Sequence, residues 1–141
     1  MKTSPMPNSP VSPPADENSA TLALARRNLV DFGIVIDPTF IPAWFHEKVA
    51  SALERIERGE LRFLIVTLPP RHGKSSLTSV KFPAWYLGRN PKKNVIAASY
   101  SGDLATDFGS KTRDIVASPE YQQIFGISLK VTIFADFLNP T

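Results

Sequence analysis

The residue types and order of Gly73, Lys74 and Ser75 indicate a phosphate-binding site. In such a site, backbone N–H groups at a helix start point at the phosphates, a lysine reaches the outer phosphate oxygens, and the following hydroxyl ligates Mg²⁺. We therefore predict that ATP and Mg²⁺ bind here, with Ser75 as the metal ligand. The predicted nucleotide-binding residues are Pro70, Arg71, His72, Gly73, Lys74, Ser75 and Ser76.

The loop departs from the usual phosphate-binding pattern at its start, where Leu68 stands in place of the first glycine. Two prolines follow, and because proline has no N–H, the backbone donors must come from residues 71–76. A second interpretation stays open, in which Gly73 only caps a tight turn and Lys74 is a solvated charge.

Arg71 lies three residues before Lys74, where its guanidinium can stabilise the charge on a transferring γ-phosphate. Arg71 and Lys74 are accordingly the predicted catalytic residues. A surface arginine paired with a carboxylate explains Arg71 equally well. His72 is predicted to be a loop residue rather than a catalytic base.

Two apolar runs, residues 61–68 and 94–100, are rich in branched side chains and show no alternation, which is typical of parallel strands buried on both faces. The segment between them favours a helix that starts at Lys74 and is bent or broken at Pro83. Strand, helix and strand in this order predict an α/β fold, with a parallel sheet flanked by helices.

Helical spacing and cap residues predict two helices before the first run, one at about residues 16–31 and one that starts near Pro42 and ends at Gly59 in a left-handed conformation. They predict two more after the second run, the later one short, starting at Ser118 and ending at Gly126. The predicted organisation has four parts: a disordered arm rich in proline and serine at 1–15, lead-in helices at 16–60, a nucleotide-binding core at 61–129 and a divergent tail at 130–141. At 141 residues, the chain has room for one compact domain.

The composition excludes several classes of site. The chain has no cysteine, so disulfides and cysteine zinc sites are excluded, and no apolar run reaches the ~20 residues that cross a bilayer. We therefore expect a soluble, intracellular protein without a membrane partner. The net charge of +3 fits a nucleic-acid partner but also many proteins without one. The basic turn with Arg89, Lys92 and Lys93 can contact DNA phosphates, or it is a solvated loop.

Four segments in this order, LPPRHGKSSLTS, FPAWYLGRNP, VIAASYSGDLATDF and SPEYQQIFG, resemble the N-terminal ATPase part of tailed-phage and prophage terminase large subunits. The resemblance covers about residues 40–129. It implies a RecA-like P-loop ATPase with an atypical Walker A loop, in which Lys74 and Ser75 match the Walker A lysine and hydroxyl. Arg71 matches the arginine that the family places on the γ-phosphate. His46 or Glu47 would hold adenine, unless they are an exposed pair on a helix.

The resemblance further implies a motor that couples ATP hydrolysis to translocation of double-stranded DNA in the cytoplasm of a bacterial host. Its implied partners are the small terminase subunit and the portal protein, and the intact motor is expected to be a homo-oligomer. A nuclease domain and a Walker B strand are missing, and Asp136 is only a weak Mg²⁺ candidate because Phe137 follows it instead of glutamate. We therefore expect a truncated or frameshifted chain that is inactive as an ATPase alone. The alternatives are a small P-loop kinase and a non-catalytic DNA-binding remnant.

Overall fold

A computed structural model describes residues 15–127, and these residues form helices joined by loops. None of the described helices is long and apolar enough to cross a membrane. The predicted arm, the predicted tail and Asp136 lie partly or wholly outside the described residues. The helices are α1 (Ala15–Arg27), α2 (Leu29–Ile36), α3 (Trp44–Glu57), α4 (Lys74–Ser76), a π-helical turn (Leu77–Lys81), α5 (Phe82–Arg89), α6 (Gly102–Val116) and α7 (Pro119–Phe125).

The predicted α/β fold of a RecA-like P-loop ATPase, with a parallel sheet, is wrong for this structure, because residues 15–127 contain no β-strand. Residues 61–68 and 94–100 form no backbone hydrogen bonds with each other. Several of their side chains are almost fully exposed, including Phe63 at 90%, Ile65 at 91% and Ile96 at 93%. A strand exists through hydrogen bonds to a neighbouring strand, and an apolar run in a sequence does not show whether such a neighbour is present.

Two of the predicted helices are confirmed and one is divided in two, because helical spacing is a local property of the chain. The second predicted helix is α3, and Gly59 follows it with φ of 76°, the left-handed conformation expected for its end. The short helix predicted after Ser118 is α7, which ends at Gly126 with φ of 67°. The helix predicted from residue 16 is divided into α1 and α2, because Asn28 between them has an extended backbone.

Pro83 neither breaks nor ends its helix. The chain stays helical from Lys74 to Arg89, but it widens to a π-helical turn before the proline, where the N–H of Phe82 donates to the carbonyl of Leu77. Proline lacks an N–H, and its ring crowds the carbonyl four residues earlier in an α-helix. A π-helical turn at this place accommodates the proline without a break.

The core lies between α1, α2, α3, the segment from Leu77 to Arg89, the end of α6 and α7. Two polar atoms of its aromatic side chains have backbone partners: the Tyr121 hydroxyl donates to the Ala84 carbonyl at 2.8 Å, and the Trp85 indole N–H donates to the Ala25 carbonyl at 3.2 Å. Burial raises the pKa of the Tyr121 hydroxyl. The largest fully buried side chains are Trp85, Tyr121, Phe32, Leu29, Leu77, Ile124 and Val116.

Candidate functional site

The predicted phosphate-binding loop connects the exposed run at 61–68 to the start of α4. Two of its residues have left-handed backbone conformations, Arg71 with φ of 65° and Gly73 with φ of 71°. This conformation costs glycine little but costs other residues about 1 to 2 kcal/mol. Arg71 therefore has a strained backbone, which is a feature of functional loops more often than of ordinary turns.

The helix that follows the loop presents free backbone donors at its first turn. Gly73 is the N-cap residue, and the first intrahelical bond runs from the Leu77 N–H to the Gly73 carbonyl at 3.0 Å. Within residues 15–127, the N–H groups of residues 74–76 have no hydrogen-bond acceptor. Helix starts with such N–H groups attract anions, because the N–H groups and the helix dipole both favour negative charge.

Lys74 and Ser75 are at the first turn as predicted, and their side chains are uncommitted in the described part of the chain. Lys74 is half-buried and Ser75 is exposed, and neither side chain forms a hydrogen bond or ion pair with residues 15–127. The lysine ammonium and the hydroxyl are therefore both available to a ligand. No group of three or more His, Cys, Asp or Glu residues that could hold a metal ion occurs among the described residues.

The Ser76 hydroxyl differs, because it accepts a hydrogen bond from the Lys81 ammonium at 2.9 Å. Lys81 is only 4% exposed, and it also donates to an Asp37 carboxylate oxygen at 3.3 Å and lies 4.7 Å above the ring of Phe40. The hydrogen bond from the Thr39 hydroxyl, followed by the bond and charge of Lys81, holds the pKa of Asp37 below its ordinary value. These contacts join the chain before α3 to the helix that follows the loop.

Sequence reasoning missed Lys81. In a regular α-helix, residues five apart do not lie on the same side, so Ser76 and Lys81 give no sign of being neighbours. The π-helical turn between them has more residues per turn and brings the two side chains together. Pro83, which the sequence does reveal, was the one available signal that the helix is irregular here.

His46 is buried beside the loop, and only 7% of it is exposed. Its Nδ1 accepts a hydrogen bond from the Ala43 N–H at 2.9 Å, and its Nε2 lies 2.8 Å from the His72 carbonyl oxygen. Both ring nitrogens thus have protein partners. Glu47, the second residue predicted to hold adenine, is exposed and lines a shallow cleft between α2 and α3, together with Asn28, Asp31 and Glu54.

His72 is exposed and contributes to the shape of the loop. Its Nδ1 lies 2.9 Å from the Pro70 carbonyl, and its ring packs edge-on against Phe45 with 5.6 Å between centroids. Because a carbonyl oxygen only accepts, Nδ1 carries the hydrogen. These contacts agree with the prediction that His72 is a loop residue.

Of the three residues predicted to contact DNA, Arg89 ends the same helix, about 22 Å from Lys74 along its axis, and Lys92 and Lys93 lie in the turn that follows. Arg89 donates to the Glu57 carboxylate at 3.1 Å and to the Arg26 carbonyl at 2.9 Å, and its guanidinium lies over the Trp85 ring. Lys92 and Lys93 are exposed and form no ion pair within the described residues. The two lysines are therefore freer than Arg89 to contact a phosphate.

Comparison with known protein families identifies the family to which the loop and the helix after it belong. The family described as terminase large subunit, T4-like virus type, N-terminal, matches residues 65–136, which include the whole loop, the helix after it and the basic turn. Comparisons with curated proteins and with solved structures found no match. The matched segment is 72 of the 141 residues, just over half of the chain. On this match, the chain belongs to the family of T4-like terminase large subunits, proteins of phage DNA packaging.

Proposed function

We propose that residues 70–76 bind the phosphates of ATP, and that ATP hydrolysis at this loop is coupled to DNA translocation during packaging. The observation that carries the proposal is the start of α4, where the N–H groups of residues 74–76 have no acceptor among the described residues. The side chains of Lys74 and Ser75, which are uncommitted among residues 15–127, lie at the same turn. A group of donors without acceptors beside a free ammonium fits a polyphosphate.

The side chains take different roles in this proposal. Lys74 binds the outer phosphate oxygens, and the Ser75 hydroxyl is the ligand for Mg²⁺, which neutralises phosphate charge when bound. Arg71 is exposed at the turn before them and stabilises charge on the γ-phosphate in the transition state. Ser76 contributes its backbone N–H, because its hydroxyl is engaged by Lys81.

The adenine and the larger partners are also proposals. Glu47 is the freer of the two predicted adenine residues, since both ring nitrogens of His46 have protein partners. Family membership implies DNA and other parts of the packaging motor as partners in general. We propose that the DNA is double-stranded and contacts Lys92 and Lys93, that the small terminase subunit and the portal protein are protein partners, and that the motor is a homo-oligomer.

Calorimetry with Mg²⁺ and ATP on the 141-residue chain tests the loop. Lys74→Ala should weaken binding at least about tenfold, because hydrogen bonds to charged groups contribute roughly 1.5 to 3 kcal/mol. Lys92→Ala is the matched control, since it removes the same charge in the turn beyond the other end of the helix. Equal affinity of wild type and Lys74→Ala would remove the loop from consideration.

A further inference from the structure

The tautomer of His46 follows from its two hydrogen bonds. The Ala43 N–H can only donate, so the Nδ1 that faces it must be unprotonated. The His72 carbonyl can only accept, so the Nε2 that faces it must carry the hydrogen. His46 is therefore the neutral Nε2–H form, with one nitrogen joined to the start of α3 and the other joined to the loop.

The bond to His72 fixes the direction of one loop N–H group. The peptide between His72 and Gly73 is planar and trans, so its C=O and its N–H point in opposite directions. His46 lies on the carbonyl side of this peptide and holds it at 2.8 Å. The Gly73 N–H therefore points away from His46, toward the outer side of the loop.

The position of the His46 ring is itself fixed by its neighbours. Phe45 and Phe40 pack against it, with 4.3 Å and 5.2 Å between ring centroids. On its loop side the ring is so close to Gly73 that a Cβ added there would lie 3.1 Å from Nε2. With both nitrogens hydrogen-bonded and two aromatic rings packed against it, the His46 ring gives the loop carbonyl a donor in a defined position.

We propose that His46 is a positioning residue for the phosphate-binding loop: its Nε2–H holds the His72 carbonyl and thereby turns the Gly73 N–H outward, where it donates to a phosphate oxygen. This inference rests on the proposed function for the identity of the ligand, but the orientation of the Gly73 N–H is a property of the free protein. His46 acts through the backbone and contacts no ligand. The donor for the His72 carbonyl thus comes from a residue 26 positions earlier in the sequence.

Two substitutions separate the two hydrogen bonds of His46. In His46→Asn, the side-chain oxygen can occupy the place of Nδ1 and accept from Ala43, but the side chain is too short to reach His72. In His46→Gln, the side-chain N–H₂ can occupy the place of Nε2 and donate to the His72 carbonyl, while the acceptor for Ala43 is lost. The two variants thus separate the hydrogen bond to the His72 carbonyl from the hydrogen bond accepted from the Ala43 N–H.

The first readout needs no nucleotide. In NMR spectra of the wild-type chain, we expect His46 to be the Nε2–H tautomer, and we expect the Gly73 amide signal to be retained in His46→Gln and shifted in His46→Asn. The opposite tautomer, or a Gly73 amide that is unchanged in both variants, would overturn the positioning role. This outcome does not depend on whether ATP binds.

The second readout is the affinity for ATP with Mg²⁺ by calorimetry. His46→Asn should weaken binding about fivefold, the equivalent of one neutral hydrogen bond, and His46→Gln should restore it to near the wild-type value. Equal losses in both variants would show that His46 only supports the fold and would overturn the proposal. If wild type itself does not bind ATP, the proposed function fails, and the Gly73 amide decides the positioning role alone.

Discussion

Left-handed backbone conformations at single residues shape the candidate site. Arg71 and Gly73 have nearly the same positive φ, yet only glycine adopts it at little cost. The hydrogen bond from His72 to the Pro70 carbonyl and the bond from His46 to the His72 carbonyl hold the loop in this form. Backbone strain persists only where the surroundings determine it, and these two bonds are such surroundings.

We expect Gly73→Ala to lower the free energy of unfolding by more than Gly59→Ala does. Both glycines have φ above 70°, so each substitution carries about 1 to 2 kcal/mol of backbone cost. Of the two, only Gly73 has a neighbour that the new Cβ would meet, the buried His46 ring at 3.1 Å, whereas no described atom lies within 4 Å of the new Cβ at Gly59. Urea unfolding of both variants measures the difference. Equal losses would show that the His46 ring moves away freely.

The π-helical turn connects the loop to the rest of the molecule at the scale of the element. It places Lys81, rather than a residue one α-helical turn from Ser76, over Asp37 and Phe40. The pair of Lys81 and Asp37 is asymmetric: the lysine side chain is 5% exposed and the aspartate side chain is 39% exposed. Removing the aspartate therefore leaves a buried ammonium, whereas removing the lysine leaves a carboxylate that is partly exposed to water.

We expect Asp37→Asn to be more destabilising than Lys81→Met. The first leaves a buried ammonium without its anion, which is costly, while the second replaces the ammonium with an apolar chain of similar shape and leaves a carboxylate that water can reach. The Lys81→Met change should be within about 1 kcal/mol of wild type, like other volume-conserving replacements. Thermal and urea unfolding of the two variants test this order, and the reverse order would show that Lys81 is solvated in solution.

Because the pKa of Asp37 is lowered in the folded protein, the free energy of unfolding should fall at acid pH. Its pKa in the folded protein is below the ordinary carboxyl value of 3.8, first because of the hydrogen bond from Thr39 and then because of Lys81. The folded state thus favours the ionised form, so this contribution is fully present above pH 3.8 and is lost as the pH falls through the folded pKa. Unfolding measured from pH 6 downward should show a smaller acid loss in Asp37→Asn than in wild type. Parallel profiles would contradict this expectation.

At the scale of the whole molecule, sequence patterns predicted several helices correctly, but they also predicted a parallel sheet that residues 15–127 do not contain. Helical spacing and caps involve residues a few positions apart, and this is why α3, α7 and the helix start at Lys74 could be predicted. A sheet depends on a partner strand that no local pattern contains. The same limit hid the contacts of His46 with His72 and of Lys81 with Asp37, which cross 26 and 44 residues of sequence.

The two runs that are not strands leave large apolar side chains in water. We expect the double substitution Ile65→Lys and Ile96→Lys to reduce self-association and binding of a hydrophobic dye, because both side chains are more than 90% exposed. The melting temperature should stay near that of wild type, since neither side chain is in the core. Light scattering and dye fluorescence measure the effect. A control, Ile124→Lys, changes a fully buried side chain and should unfold the protein. A large fall in melting temperature for the double variant would show that the two runs are covered in solution.

The two tryptophans occupy opposite environments, and this gives the protein two built-in optical reporters. Trp85 is 1% exposed in the core, whereas Trp44 is 68% exposed at the start of α3, two residues before the ring that contacts the loop. Emission from a buried indole lies to the blue of emission from one in water, so the two signals separate in one spectrum. In Trp85→Phe, the remaining fluorescence would come from beside the loop and would follow a ligand there. In Trp44→Phe, it would follow the unfolding of the core.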